Sequence, residues 1–231
     1  MDIPLEQLHP YARQPYAVDR KTPDLARLMD SIEENGINTP LIVRPREAGG
    51  YEILSGHRRN YCAGVLGLQT LPAIVRNMDD EKADELVVDA NINREDLLPS
   101  EKAKAYKLKL DAMKRQGSRT DLTSLQFGEK LNKTTSVQLL SEQVKENSTN
   151  IQRFIRLTNL IPELLSKVDD GSLKLVAASD FISHLTETEQ SMLNAVMERD
   201  EVSPSMGQAQ RLKQLSAMGM LDEAAMDALK Y

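Results

Sequence analysis

Apolar positions in the first hundred residues follow two periods. Leu25, Leu28, Met29 and Ile32 recur at i, i+3, i+4 and i+7, the stripe of a helix with one buried face. Thr22-Pro23-Asp24 starts that helix, with Thr as N-cap, Pro in the first turn and an acid beside the unpaired N–H groups; Gly36 ends it. Short apolar runs surround it. Ile3-Pro4-Leu5 reads as an edge strand. Leu41-Ile42-Val43 and Tyr51-Glu52-Ile53-Leu54 read as two strands joined through a Gly49-Gly50 turn, and Leu71 to Val75 as a further strand. A helix is expected from about Arg58 to Leu66, closed by Gly67.

From Asp80 onward the pattern is helical almost throughout. One helix is expected at 81–92, and another is capped by Ser100 and reaches Gln116. The polar tract 117–123 reads as a loop. Thr186 and Glu189 make a capping-box pair for a helix over 187–199, and Ser203-Pro204 starts another that Gly219 ends. Arg211, Leu212, Leu215, Met218 and Met220-Leu221 read as amphipathic helix. The fold class is therefore α+β. A small mixed-sheet domain at 1–98 is followed by an all-α domain at 99–185 and a helical extension at 186–231.

Composition adds limits. Aromatics are 4% and Trp is absent, which favours helix over sheet. No apolar run approaches the roughly 18–20 residues that span a bilayer, and no signal peptide opens the chain. A single cysteine, Cys62, excludes an internal disulfide and fits a reducing cytoplasm; it reads as a small buried residue, not a nucleophile. No Cys/His cluster has metal-ligand spacing. The net charge of −6 argues against nucleic acid, but it is unevenly spread. Residues 1–99 hold 11 Lys+Arg and 17 Asp+Glu, residues 100–185 hold 14 and 10, and residues 186–231 hold 4 and 8. The basic middle is the place for phosphate contacts.

Two stretches carry chemistry. At 55–64 a strand runs through Gly56 into a helix bearing Arg58 and Arg59. A helix N-terminus behind a glycine suits anions, and two guanidinium forks suit phosphate oxygens. The stretch alone fits phosphate capture and a solvated arginine pair equally well. At 137–161, Val137, Leu140 and Val144 mark a short helix, Glu146-Asn147 a polar turn, and Ser148 the cap of a second helix. That helix turns Ile151, Ile155, Leu157 and Ile161 toward a core. Such a pair is what a helix-turn-helix needs. Ser148, Thr149, Asn150, Gln152 and Arg153 are then candidates for base edges or phosphates, and Arg156 for a phosphate.

Six stretches in order resemble the ParB family of partition proteins. They are Ile3 to Leu8, Gln14-Pro15, Gly36 to Arg44, Tyr51 to Arg59, Leu71 to Arg76, and Ala90 to Leu97. The resemblance implies a ParB/sulfiredoxin-like N-terminal domain that binds CTP with magnesium. Gly56, His57, Arg58, Arg59, Asn91 and Arg94 would lie at the phosphates, with Asn91 at the metal, and Gln14, Gly36, Pro40 and Ile42 near base and sugar. It also implies a homodimer clamped on a palindromic double-stranded DNA site, a ParA-type ATPase partner, no membrane, and a cytoplasmic location on nucleoid or plasmid. The family's terminal dimerisation module is not recognisable in 186–231, so the native chain is expected to extend beyond Tyr231. His57 and Ala90 replace glutamates of the family pattern, Asn93 its glutamine and Tyr16 an arginine. Carboxylates usually hold metal and water for hydrolysis, so at most a weak CTPase is expected. Two other readings remain. One is a repressor that has kept the fold and lost the nucleotide. The other is a sulfiredoxin- or kinase-like phosphotransferase built on Gly56-His57-Arg58.

Overall fold

The computed structural model describes residues 1–92, 94, 96–123 and 136–228, with 116–123 described by backbone. Asn93, Glu95, residues 124–135 and residues 229–231 lie outside the described residues. The chain divides into two compact units. One holds Met1–Arg94 and the chain from Asp111; the other holds the chain up to Leu110 and the described residues from Ser136 onward.

The first unit is built on five strands: β1 (Asp2–Pro4), β2 (Leu8–Pro10), β3 (Leu41–Pro45), β4 (Tyr51–Ser55) and β5 (Thr70–Val75). Their order in the sheet is β1-β5-β3-β4-β2. β3 runs parallel to β5 and antiparallel to β4, while β2 runs parallel to β4. Alternate residues Leu41 and Val43, Leu71 and Ala73, with Ile3, Leu8 and Ile53, form one core beneath the sheet. β2 has no counterpart in the sequence reading, because three residues ending in proline are too short to show a period.

Three helices complete this unit: α1 (Pro23–Asn35), α2 (His57–Val65) and α3 (Asp80–Asp89). Thr22 Oγ1 accepts the Leu25 N–H at 3.2 Å, so the expected N-cap is in place. Gly36 closes α1 at φ +69°. α1 packs on α2 through Leu25, Ile32 and Cys62, which is fully buried.

α4 (Pro99–Thr123) begins in the second unit and ends in the first. Ser100 is not its cap: the helix starts at Pro99, Glu101 Oε2 takes the Leu98 N–H at 2.9 Å, and the Ser100 N–H goes to Asp169 at 2.8 Å. The backbone of 117–123 continues the helix where a loop was expected; a lone glycine weakens a helix by only about 1 kcal/mol and does not stop it.

The second unit is helical: α5 (Ser136–Val144), α6 (Ser148–Leu157), α7 (Pro162–Asp169), α8 (Leu175–Asp180), α9 (Glu187–Asp200), α10 (Met206–Ala217) and α11 (Glu223–Ala228). α6 is capped by Asn147, whose Oδ1 takes the Thr149 N–H at 2.8 Å, and not by Ser148. The Thr186/Glu189 capping box of α9 is present. α10 starts two residues later than Ser203 suggested, at a second capping box formed by Ser205 and Gln208. Leu212 and Leu221 are buried, but Met218 and Met220 are exposed. Leu157, Leu164, Leu173, Ile182 and Leu193 share one core with Ala209 and Met226. Inside it Gln190, 1% exposed, donates to the carbonyls of Asn159 and Leu185 and accepts from the Ile161 N–H, so its buried amide is fully used. Among the described residues no helix is long and apolar enough to cross a membrane.

Leu164→Ala should destabilise the second unit by about 2–5 kcal/mol, because a fully buried side chain leaves a cavity there. Chemical denaturation followed by circular dichroism measures it; a loss below about 1 kcal/mol would contradict this core.

Candidate functional site

β4 ends at Ser55, and Gly56 turns the chain at φ +101°, ψ +20° into α2. Only glycine fits here. A Cβ would stand 2.8 Å from Leu41 Cγ and 3.1 Å from Arg59 Nη2. The turn opens a cleft of about 220 Å³ at the N-terminus of α2, lined among others by Gln14, Gly56, Arg58, Arg59, Asn91 and Arg94.

The cleft is cationic. Arg58 Nη2 reaches Thr22 Oγ1 at 3.4 Å. Arg59 Nη1 donates to the Pro40 carbonyl at 3.0 Å and also to that of Thr39. Among the described residues neither arginine meets a carboxylate, and no Asp or Glu lines the cleft. Burial lowers the pKa of Arg59, which makes its charge costly until an anion arrives. Gln14 Oε1 is buried without a hydrogen-bond partner among the described residues. The helix N-terminus, two uncompensated guanidinium groups and an unsatisfied amide together suit a polar anionic ligand.

Seven of the ten residues expected at a nucleotide are brought together: Gln14, Gly56, His57, Arg58, Arg59, Asn91 and Arg94. The other three do not line the cleft. Gly36 caps α1, Pro40 offers its carbonyl to Arg59, and Ile42 lies on β3 opposite Ser55. Tyr16, Val18, Leu28 and Ala90 also line it, the first buried with its hydroxyl on the Val88 carbonyl at 3.3 Å. Leu28 belongs to the apolar stripe of α1, so its pattern reads as core and hides this place.

His57 is buried and does not act as a surface cation. Its Nε2 faces the Tyr11 N–H at 3.5 Å, and it bonds the Ile53 main chain. Burial pushes its pKa down to about 4, so the ring is neutral near pH 7. A metal ion would find little protein oxygen here. Asn91 donates Nδ2 to the Val87 carbonyl at 3.0 Å, which leaves its Oδ1. Among the described residues no group of three or more His, Cys, Asp or Glu is placed to hold a metal. Magnesium, which keeps waters and phosphate oxygens readily, fits such a site better than a metal needing a full protein cage.

The second candidate surface is α6. The turn before it passes through Lys145 at φ +53°, and Ser141 Oγ donates to the Glu146 carbonyl at 2.7 Å. Thr149 and Gln152 are exposed, while Ser148, Asn150, Arg153 and Arg156 are half-buried. Asn150 Nδ2 donates to Glu146 at 3.0 Å. Arg153 and Arg156 both meet Asp180 of α8, a partner that local sequence did not reveal.

Residues 1–92 match the ParB N-terminal domain family. The chromosome-partitioning protein Spo0J of Thermus thermophilus is 31% identical over 216 residues, covering 94% of this chain and 71% of that protein. A probable chromosome 1-partitioning protein ParB of Deinococcus radiodurans is 29% identical over 212 residues, covering 91% and 64%. Among solved structures, the pNOB8-like ParB N-domain superposes with a TM-score of 0.56 at 16% identity, over 100% of this chain and 94% of the other, a likeness of fold.

Because the unfolded His57 titrates near 6.5 and the folded one near 4, the unfolded chain takes up the extra proton between those values. Stability should therefore fall by about 3 kcal/mol as pH drops from 6.5 to 4. Melting temperatures of wild type and His57→Gln across that range test it: the variant should lose this part of the slope, and parallel profiles would contradict it.

Proposed function

We propose a role for this chain, which belongs to the ParB family of chromosome-partitioning proteins: a sequence-specific DNA-binding partition protein whose N-terminal cleft takes CTP. The observation that carries the nucleotide half is the pair Arg58 and Arg59, which among the described residues meet only a hydroxyl and carbonyls at a glycine-bounded helix N-terminus. A triphosphate supplies the negative charge that this cleft lacks. The buried Gln14 Oε1 is an acceptor suited to an amino group on the base edge.

Magnesium, when bound, would neutralise phosphate charge, with Asn91 as the protein ligand. The chain's own residues then bind and orient. Arg58, Arg59 and Arg94 hold the phosphates, Gly56 lets the backbone approach them, and Tyr16 and Leu28 wall the cleft. A neutral His57 with engaged nitrogens and an alanine at position 90 offer no carboxylate to orient water, so turnover is expected to be weak.

The DNA half rests on α5, the tight turn at Lys145 and α6, read as a helix-turn-helix whose second helix enters the major groove. Thr149 and Gln152 are its exposed polar side chains, and Arg153 and Arg156 its cations. The family membership supports a palindromic site held by a homodimer, a ParA-type ATPase partner and a place on the nucleoid or plasmid. The Thermus and Deinococcus relatives carry chromosome-partitioning names, which supports chromosome segregation as the task.

Arg58→Ala and Arg59→Ala should each reduce CTP affinity at least about tenfold, with a circular dichroism spectrum like wild type. Titration calorimetry with CTP and magnesium measures it. No heat from the wild type would remove the nucleotide and leave a ParB-fold repressor.

Arg156→Ala should weaken specific and non-specific duplexes alike and lower the slope of log affinity against log salt by about one. Arg153→Ala should instead cost about 1–3 kcal/mol on the specific site and relax its preference. Unchanged binding of both variants would remove α6 from the interface.

A further inference from the structure

Three cationic side chains converge on the end of α8. Arg153 Nε lies 3.1 and 3.3 Å from the two carboxylate oxygens of Asp180, and its Nη2 lies 3.0 Å from Oδ2. Arg156 Nη1 lies 3.4 Å from Oδ1. Lys213, on α10, donates to the Asp180 main-chain carbonyl at 3.0 Å, with its ammonium 6.0 Å from the centre of the Phe181 ring. Ser179 Oγ adds a bond to Oδ1 at 3.3 Å. The ring of His184 shares this corner. Burial first, then Lys213 and Arg156, lower its pKa, so it adds no charge near pH 7. Among the described residues Asp180 is the one carboxylate that Arg153 and Arg156 meet, leaving three positive charges against one negative.

This geometry constrains what the two arginines can do. A carboxylate gripping Nε and Nη2 fixes the plane of the Arg153 guanidinium and leaves Nη1 and the second Nη2 hydrogen as the donors not taken by Asp180. A loose arginine on a helix surface follows any phosphate. A held one donates in a single direction, which is what reading a base edge requires. The same carboxylate repels phosphates and competes with them for Arg156, which lowers affinity for any DNA backbone. Side chains that carry base reading are precise only when a second layer of contacts holds them.

We propose that Asp180 is a positioning residue of the DNA interface. It fixes Arg153 for base reading and withholds Arg153 and Arg156 from indiscriminate phosphate contact, and so sets the ratio of specific to non-specific binding. This rests on the DNA-binding reading of α6.

The test uses the full chain as wild type, Asp180→Asn and Asp180→Glu. The probes are short duplexes that the wild type enriches from a randomised pool, and the unselected pool itself. Fluorescence anisotropy is read over a series of salt concentrations. Asp180→Asn should bind the unselected pool more tightly, with a salt slope steeper by about one. The ratio of enriched to unselected affinity should fall about tenfold or more, and Asp180→Glu should recover part of it. A ratio that Asp180→Asn leaves within about twofold of wild type overturns the proposal. So does a ratio that falls only in step with the melting temperature and is not recovered by glutamate, since Asp180 would then be structural. A wild type that enriches no duplex overturns the DNA reading itself, and this proposal with it.

Discussion

A carboxylate with no exposed surface anchors the first unit. Asp84 is 0% exposed, and a charge so placed is tolerated only where donors surround it. It accepts from the Tyr11 hydroxyl at 2.7 Å and pairs with Arg13 at 3.0 Å and Arg115 at 2.7 Å. Burial pushes its pKa up, against the pull of Tyr11, Arg13 and Arg115. The arrangement ties α3 to the segment after β2 and to the last part of α4 described within this unit. Arg44, paired across the β3–β4 register with Glu52, reaches Asp80 at 2.7 Å and the Tyr11 ring, which joins the sheet to the same group. Once Tyr11 is held by its hydroxyl, its backbone N–H faces His57 at the first residue of α2. The cleft thus inherits its shape from a buried charge some distance along the chain.

Arginine does opposite work in the two units. In the cleft Arg58 and Arg59 meet only neutral partners among the described residues, so no described carboxylate balances their charge and an anion is favoured. On α6 Arg153 and Arg156 are already balanced, in part, by Asp180. An uncompensated cation maximises affinity for phosphate, and a compensated one trades affinity for direction. A ligand bound mainly through its phosphates and a duplex that must be told apart from a large excess of other duplexes call for these different solutions.

Local signals in the sequence were dependable where the physics is local. Thr22-Pro23, the Thr186/Glu189 box, the glycine after β4 and the short apolar runs of β3 and β5 are all signals within a few residues, and each marks an element that is present. The glycine-arginine turn was legible as a cationic helix start for the same reason, though the stretch alone fitted a phosphate site and a solvated arginine pair equally. What stayed hidden depends on partners far along the chain. Asp84 meets Tyr11 at a separation of 73 residues, Asp180 meets Arg153 at 27, and Gln190 meets Asn159 at 31. His57 was expected at the phosphates beside two arginines, and its burial comes only from the fold. The cap of α6 was misassigned by one residue because Asn147 and Ser148 are both good caps, and only backbone geometry separates them.

The one thiol of the chain offers a different use of the same packing. Cys62 sits on α2 one turn beyond the arginines of the cleft, with no surface exposed, sealed by Leu25 and Ile32 of α1. Burial also holds its pKa above the ordinary thiol value, so little reactive thiolate is present near neutrality. An alkylating reagent therefore gains access only when α1 and α2 part. Its rate of reaction becomes a clock for that separation, and the native chain carries the probe without any engineered label.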